Sequence, residues 1–237
     1  MESKSNKKLI ICTRHGERTD HVGLIPSYGP CDPELTENGC QQAYLMGQIL
    51  SKEISEFTKD QKGKILILSS PFVRTLQTSR GLLSGLVEHD NNSLGIQKEI
   101  HVDHLLSEYI KKELIEILPV NYLNLYNNCE FLQTELPEYS LNFLNMKELL
   151  PVELECKETC HQRMKKCVEN VINDVLKMED VKVVILVSHG TPIDNINKIL
   201  GYPGPYGWKN INYCNSYFYL HDTDLKSTEF LYLKKLD

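Results

Sequence analysis

The side chains best suited to chemistry fall in three short polar segments: Arg14-His15-Gly16, the stretch 69–74 (SSPFVR), and Ser188-His189-Gly190. Taken singly, each has an ordinary explanation. Arg-His-Gly occurs in plain turns, Ser-His-Gly can hold a hydrogen-bonded core histidine, and Arg74 could pair with a surface carboxylate. One short motif carries little weight. Their position raises them above that, because each directly follows an apolar run that reads as a buried strand. In open α/β sheets the ligand crevice lies beyond the carboxyl ends of the strands. Arg14, Arg74, His15 and His189 gathered there would make a positive pocket in an acidic chain. Arginine forks match the oxygens of a phosphate dianion in both shape and charge.

The elements that must position these residues are readable from periodicity. Apolar runs at 9–12 (LIIC), 65–68 (ILIL) and 183–187 (VVILV) predict buried strands, each ending in one of the polar tips. Thr36 is a candidate N-cap for a helix that puts Ala43, Met46, Leu50, Ile54 and Phe57 on one stripe. A second helix is expected from about Phe72 to Leu86, a third over 158–178, and a fourth over 192–200 with Pro192 in its first turn. Ile100 and Val102 suggest a short strand, and 216–220 with 229–233 suggest a terminal hairpin at the sheet edge. Strand, polar tip and helix in repetition predict an α/β fold: a mainly parallel central sheet with helices on both faces. The region 105–151 breaks the pattern with Pro119, Pro137 and asparagine-rich patches, and reads as an inserted irregular or helical lid within a single domain over 1–237.

Composition narrows the function. The 237 residues are 41% hydrophobic, enough for a sizeable core, and carry 32 acidic against 26 basic groups for a net charge of −6. That balance argues against a general nucleic-acid surface, which must neutralise many phosphates. No apolar stretch approaches the length of a membrane span, and the opening MESKSNKK leads into no signal-like core, so a cytoplasmic protein with no membrane partner is expected. The eight cysteines do not suggest a disulfide framework. The grouping Cys156-x3-Cys160-His161 with Cys167 matches no common structural zinc spacing and suits a helix face instead.

Five pieces in order resemble one family. They are Arg14-His15-Gly16-Glu17-Arg18, the stretch DPELTENGCQQAYLMGQIL, the stretch ILSSPFVRTLQTSRGLL, Glu108 within LLSEYI, and LVSHGTPIDN around His189. Together they span about residues 8–200 and resemble the histidine phosphatase, or phosphoglycerate mutase-like, superfamily. Glu17-Arg18-Thr19-Asp20 is similar to the branch of signalling tyrosine phosphatases and insect ecdysteroid-phosphate phosphatases, whereas the mutases typically have serine at the position of Arg18. The chain departs from the signalling phosphatases in its short 20–32 segment and in Tyr109, where they tend to have tryptophan.

The resemblance implies that His15 attacks phosphorus and becomes phosphohistidine. It also implies that Arg14, Arg74 and His189 clamp the nonbridging oxygens, that Arg18 extends the clamp, and that Glu108 gives a proton to the leaving oxygen. Each role has a physical requirement. An attacking imidazole needs one ring nitrogen unprotonated, so the other must be held by an acceptor such as a backbone carbonyl. Glu108 must be protonated when the alkoxide departs and can then activate water; Glu17, Glu113 and Glu116 are rival acids. His104 would face Glu108 if their segment were helical. Neither a nucleotide cofactor nor a metal is called for, since the arginines supply the charge that magnesium supplies elsewhere. The expected function is hydrolysis of a small-molecule or peptide-borne phosphomonoester, with phosphotyrosine or another hydrophobic phosphomonoester as the candidate substrate. A mutase that returns the phosphoryl group to its substrate, and a noncatalytic phosphate-binding module, are the alternatives. An intact nucleophile weighs against the module.

Overall fold

A computed structural model describes residues 6–29, 32–59, 63–89, 95–109, 140–144 and 155–236, with backbone alone for 97, 98 and 140–144. Seven strands form one sheet: β1 Lys7–Arg14, β2 Lys64–Ser69, β3 Gly95–Asp103, β4 Ser140–Leu144, β5 Val181–Ser188, β6 Ser216–Asp222 and β7 Ser227–Lys234. Their order is β4-β3-β2-β5-β1-β6-β7. The first five in that row run parallel, and β6 and β7 add an antiparallel hairpin against β1, at the edge where the sequence suggests one.

The buried strands present period-2 alternation to two different layers. Leu9, Ile11, Ile65, Ile67, Val183, Ile185 and Val187 face the helices α1 (Glu37–Thr58) and α2 (Val73–His89), meeting Ala43, Met46, Leu50, Ile54, Leu82 and Leu86. Ile10, Cys12, Leu66, Leu68, Val184 and Leu186 face α3 (Lys157–Asn170) and α4 (Gly190–Ile199) through Met164, Cys167, Val168, Ile193 and Ile196. Both sides of the central strands are therefore apolar, which is why those strands read as unbroken hydrophobic runs. The α1 stripe is fully buried at Met46, Leu50 and Ile54; truncating Leu50 to Ala would cost about 2–5 kcal/mol, the range for a core leucine.

Three elements differ from the sequence reading. The helix expected over 158–178 is α-helical only to Asn170 and then widens to a π-turn over Val171–Val175. Ser140–Leu144, inside the region expected to be an irregular lid, is a strand pairing in parallel with β3. The polar-apolar alternation of SLNFL is too short to stand out between Pro137 and the asparagine-rich patches. Residues 110–139 and 145–151 of the expected lid lie outside the described residues. Finally, His104–Leu106 is a single 3-10 turn and the chain leaves helical geometry at Ser107, so the helical spacing that would pair His104 with Glu108 does not form. Among the described residues, no helix is long and apolar enough to cross a membrane.

Candidate active site

Strand register brings the polar tips level. Arg14 lies opposite Ser188 and Ser69 opposite Val187, so β1, β5 and β2 end along one line. The main chain carries this alignment one residue further: the His15 N–H donates to the Ser188 carbonyl at 3.0 Å and the Ser70 N–H to the Val187 carbonyl at 3.0 Å. His189 follows as the N-cap of α4. The His15 and His189 rings stand edge-on with centroids 5.3 Å apart.

The turn after His15 is seated on the start of α1. A Cβ on Gly16 would lie 2.5 Å from the Gly39 carbonyl oxygen, and one on Gly39 2.2 Å from that of Glu17, so the two segments meet at a distance only glycine permits. Thr36 caps α1 by accepting from the Gly39 N–H at 2.9 Å and donates its hydroxyl to Glu17 Oε1 at 2.8 Å. Gln42 Oε1 accepts from the Glu17 N–H at 2.9 Å. Glu17, a rival acid by sequence, is thus engaged in the capping of α1.

His15 is buried, and its Nδ1 lies 2.8 Å from the Gly16 carbonyl oxygen. A carbonyl can only accept, so Nδ1 carries the ring proton and Nε2 keeps a free lone pair. Burial, then the charges of Arg74 and Arg14, hold His15 well below the usual imidazole range, so the ring is neutral. His189 is also held well below that range, by burial, Arg74 and His15. Its Nε2 lies 2.8 Å from Ser70 Oγ, while Nδ1 faces Glu108 Oε2 at 3.5 Å. A serine hydroxyl can donate or accept; where Ser70 donates to Nε2, the proton of neutral His189 is on Nδ1, the nitrogen facing Glu108. In that tautomer His189 can offer an N–H to an anion while neutral.

Arg74, in the first turn of α2, is 2% exposed. Its Nη1 stands 3.6 Å from Asp32 Oδ1 and its Nη2 3.6 Å from Glu108 Oε2. Both exceed hydrogen-bond length, and Nε and Nη1 have no hydrogen-bond partner. Burial and neighbouring Arg18 push its pKa down to about 10, which leaves it charged at neutral pH. Asp32 also accepts from the Val73 N–H at 2.9 Å, tying the guanidinium's neighbour to the start of α2. Arg14 bonds the Ile211 carbonyl through Nη1 and lies 4.6 Å from the centroid of the Tyr213 ring. Arg18 is fixed by a bidentate pair with Asp20, Nε to Oδ1 at 2.6 Å and Nη2 to Oδ2 at 2.5 Å.

All six residues singled out by sequence are therefore at this edge, through direct contacts or through charge coupling to the two histidines. The sequence reading missed Tyr213, whose ring centroid is 5.8 Å from that of His15. It also gave Asp32 no role of its own in the site. Tyr213 has no motif around it that could have flagged it, whereas Asp32 opens the DPELTENGC stretch. Cys160 and Cys167 are core residues, and His161 Nδ1 is 3.0 Å from Asn195 Oδ1, so that grouping belongs to helix packing.

The ligating atoms of His15, Glu108 and His189 all lie within 4.8 Å of one another, a spacing that could also suit a cation. The guanidiniums that depress both imidazoles oppose cation binding and favour an anion. Unpaired guanidinium N–H groups, a histidine donor and an imidazole lone pair facing one space define a site for binding and attacking an oxyanion.

Comparison with known proteins agrees with that class. A model of the histidine phosphatase superfamily (branch 1) matches residues 10–108. Over those residues the chain is similar to the histidine phosphatase superfamily, and that match together with the His15, Glu108 and His189 cluster supports hydrolase activity. No curated protein matches it in sequence. Among solved structures, the ecdysone phosphate phosphatase of Bombyx mori in complex with tungstate is similar at TM-score 0.60 and 16% identity, covering 95% of this chain and 92% of that one. A phosphoglycerate mutase from Bacillus anthracis has TM-score 0.57 and 16% identity, with 98% and 94% covered. A mycobacterial glucosyl-3-phosphoglycerate phosphatase has TM-score 0.54 and 18% identity, with 94% and 97% covered. At such identities the likeness concerns the fold, and hydrolases and a mutase match alike.

Proposed function

We propose that this chain hydrolyses phosphomonoesters through a phosphohistidine on His15. The observation that carries the reading is the bond from His15 Nδ1 to the Gly16 carbonyl, which leaves Nε2 unprotonated inside a cluster of positive groups. Nε2 attacks phosphorus and the ester oxygen departs in line. Arg14, Arg74 and neutral His189 hold the nonbridging oxygens, with Arg18 as an outer clamp. Glu108 hands its proton to the leaving oxygen, and its carboxylate then draws a proton from water as that water attacks the phosphohistidine. A dianion between the guanidiniums would also raise both imidazole pKa values, tightening the donor from His189.

The substrate we propose is a phosphotyrosine or another hydrophobic phosphomonoester, small or peptide-borne. Tyr213 lies beside His15, Trp208 is 46% exposed next to Gly190, and Val22, Leu24 and Ile25 are exposed on the segment following Arg18 and Asp20. The side chains of the aromatic residues at 122–143, which could also line an apolar pocket, lie outside the described residues. Arg18 in place of the mutase serine supports hydrolysis over transfer.

Purified protein should release phosphate from p-nitrophenyl phosphate and trap acid-labile, alkali-stable phosphate in rapid-quench experiments, with turnover nearly unchanged by EDTA. Profiling against phosphotyrosine peptides, steroid phosphates and glycerate phosphates should rank the hydrophobic esters first. Preferential return of phosphate to glycerate phosphates would reverse the reading in favour of a mutase.

A further inference from the structure

Glu108 is placed by a different kind of structure from the rest of the site. The chain leaving β3 makes one 3-10 turn and then has no regular structure over 107–109, although Leu105, Leu106 and Ser107 are buried. Buried carbonyls need partners, and side chains supply them. Arg163, on α3, donates from Nη1 to the Leu105 carbonyl at 2.6 Å and the Ser107 carbonyl at 3.0 Å, and from Nη2 to the Glu108 carbonyl at 3.2 Å. Ser188 Oγ donates to the intervening Leu106 carbonyl at 2.5 Å. Four consecutive carbonyls are thus held, three of them by one guanidinium. That guanidinium is itself aligned by Glu155, which accepts from Nε at 2.6 Å and from Nη2 at 2.7 Å.

The carboxylate of Glu108 has no comparable grip on the pocket. It stands 3.6 Å from Arg74 and 3.5 Å from His189, and its Oε1 accepts from the adjacent Tyr109 N–H at 2.9 Å. Its aim is therefore inherited from its backbone. The Arg163–Glu155 pair is electrically neutral as a unit, so it fixes that backbone without adding net charge beside the proton donor.

We propose that Arg163, aligned by Glu155, is a positioning residue that aims Glu108 at the leaving-group oxygen from the far side of the 105–108 segment. The proposal rests on Glu108 being the proton donor. Arginine is required because three carbonyls in different directions need a planar fork; a lysine ammonium offers one compact centre.

The test is a double-mutant cycle read by rapid-quench formation of phosphohistidine with p-nitrophenyl phosphate and with an alkyl phosphate. Arg163→Met should slow the alkyl reaction by about tenfold or more, a part of the roughly 100-fold available from general-acid help, and the aryl reaction much less. KM for the aryl ester should stay near that of the parent. Arg163→Lys should not restore the alkyl rate. In a Glu108→Gln background, Arg163→Met should add little further loss, because the two act through one proton transfer. Amide exchange should speed up over 105–109 and not over β5. If Arg163→Met does not fold, Glu155→Gln keeps two polar partners and should show the same leaving-group selectivity more weakly. Equal losses for both esters, or losses that add fully to those of Glu108→Gln, would overturn the positioning role alone. A Glu108→Gln variant without leaving-group dependence would overturn the donor assignment and the positioning role with it.

Discussion

The basic half of the site and its acidic arm are built on different physical terms. Arg14, His15, Ser70 and His189 sit at the ends of three strands whose ladders are continuous from the core outward, so their relative heights are set by backbone hydrogen bonds. Glu108 sits five residues past the end of β3, on an irregular segment held by a guanidinium 55 residues further along the chain. A ladder of many cooperative bonds tolerates the loss of one side chain. A segment held by one side chain does not. The cradle should accordingly respond to mutation through its own chemistry, and the arm should respond to changes at a distance.

The largest effect should come from the cradle. His15→Ala removes the attacking lone pair while leaving the guanidiniums, so turnover should fall by roughly 10⁴-fold or more, with phosphate trapping abolished and inorganic phosphate still bound. Residual trapping in that variant would move the nucleophile elsewhere. Arg74→Met should come next, at about 10²–10³-fold in kcat, the scale of a lost oxyanion donor in a dry site. Because Arg74 faces both Glu108 and the cradle, its loss should affect aryl and alkyl esters alike, unlike that of Arg163.

Glu108→Gln sharpens the contrast between the halves. The alkyl ester should lose about 100-fold in phosphohistidine formation and p-nitrophenyl phosphate much less, since its leaving group departs with little protonation. Equal losses would make Glu108 an electrostatic support. Arg18→Ser should be milder, about five- to tenfold in aryl turnover, because its guanidinium is partly exposed and already paired with Asp20. No change for any phosphomonoester would remove the reason for setting this chain apart from the mutases.

The smallest effect concerns stability. His15 and His189 are buried and neutral in the fold, with pKa values far below the 6.5 of an exposed imidazole. The unfolded chain therefore binds protons that the folded chain refuses, and stability should fall as pH drops below about 6.5, by about 1.4 kcal/mol per pH unit for each such ring. Inorganic phosphate should flatten the decline by favouring the imidazolium, and His15→Asn should make it shallower. A melting temperature independent of pH between 7 and 5 would mean that these rings are not held neutral.

The sequence by itself determined the layers, the strand ends and the basic half of the site. Unbroken runs such as LIIC and VVILV can be satisfied only between two apolar layers, and polar tips directly after them must emerge at one sheet edge. Contacts along the chain are enough to read that much. Tertiary structure decided which ring nitrogen of His15 is free, which tautomer Ser70 supports in His189, and what holds Glu108 in place. Neither Arg163 nor Glu155 stands out in sequence, because nothing local marks a side chain whose partners are carbonyls more than fifty residues away. Tyr213 escapes for the same reason: it follows no apolar run and enters the site where its loop is tied to the end of β1, with the Cys214 N–H donating to the Arg14 carbonyl at 3.1 Å and the Arg14 N–H to the Asn215 carbonyl at 3.3 Å. Periodicity encodes which face of an element is buried. It does not encode which distant loop that face will be asked to hold.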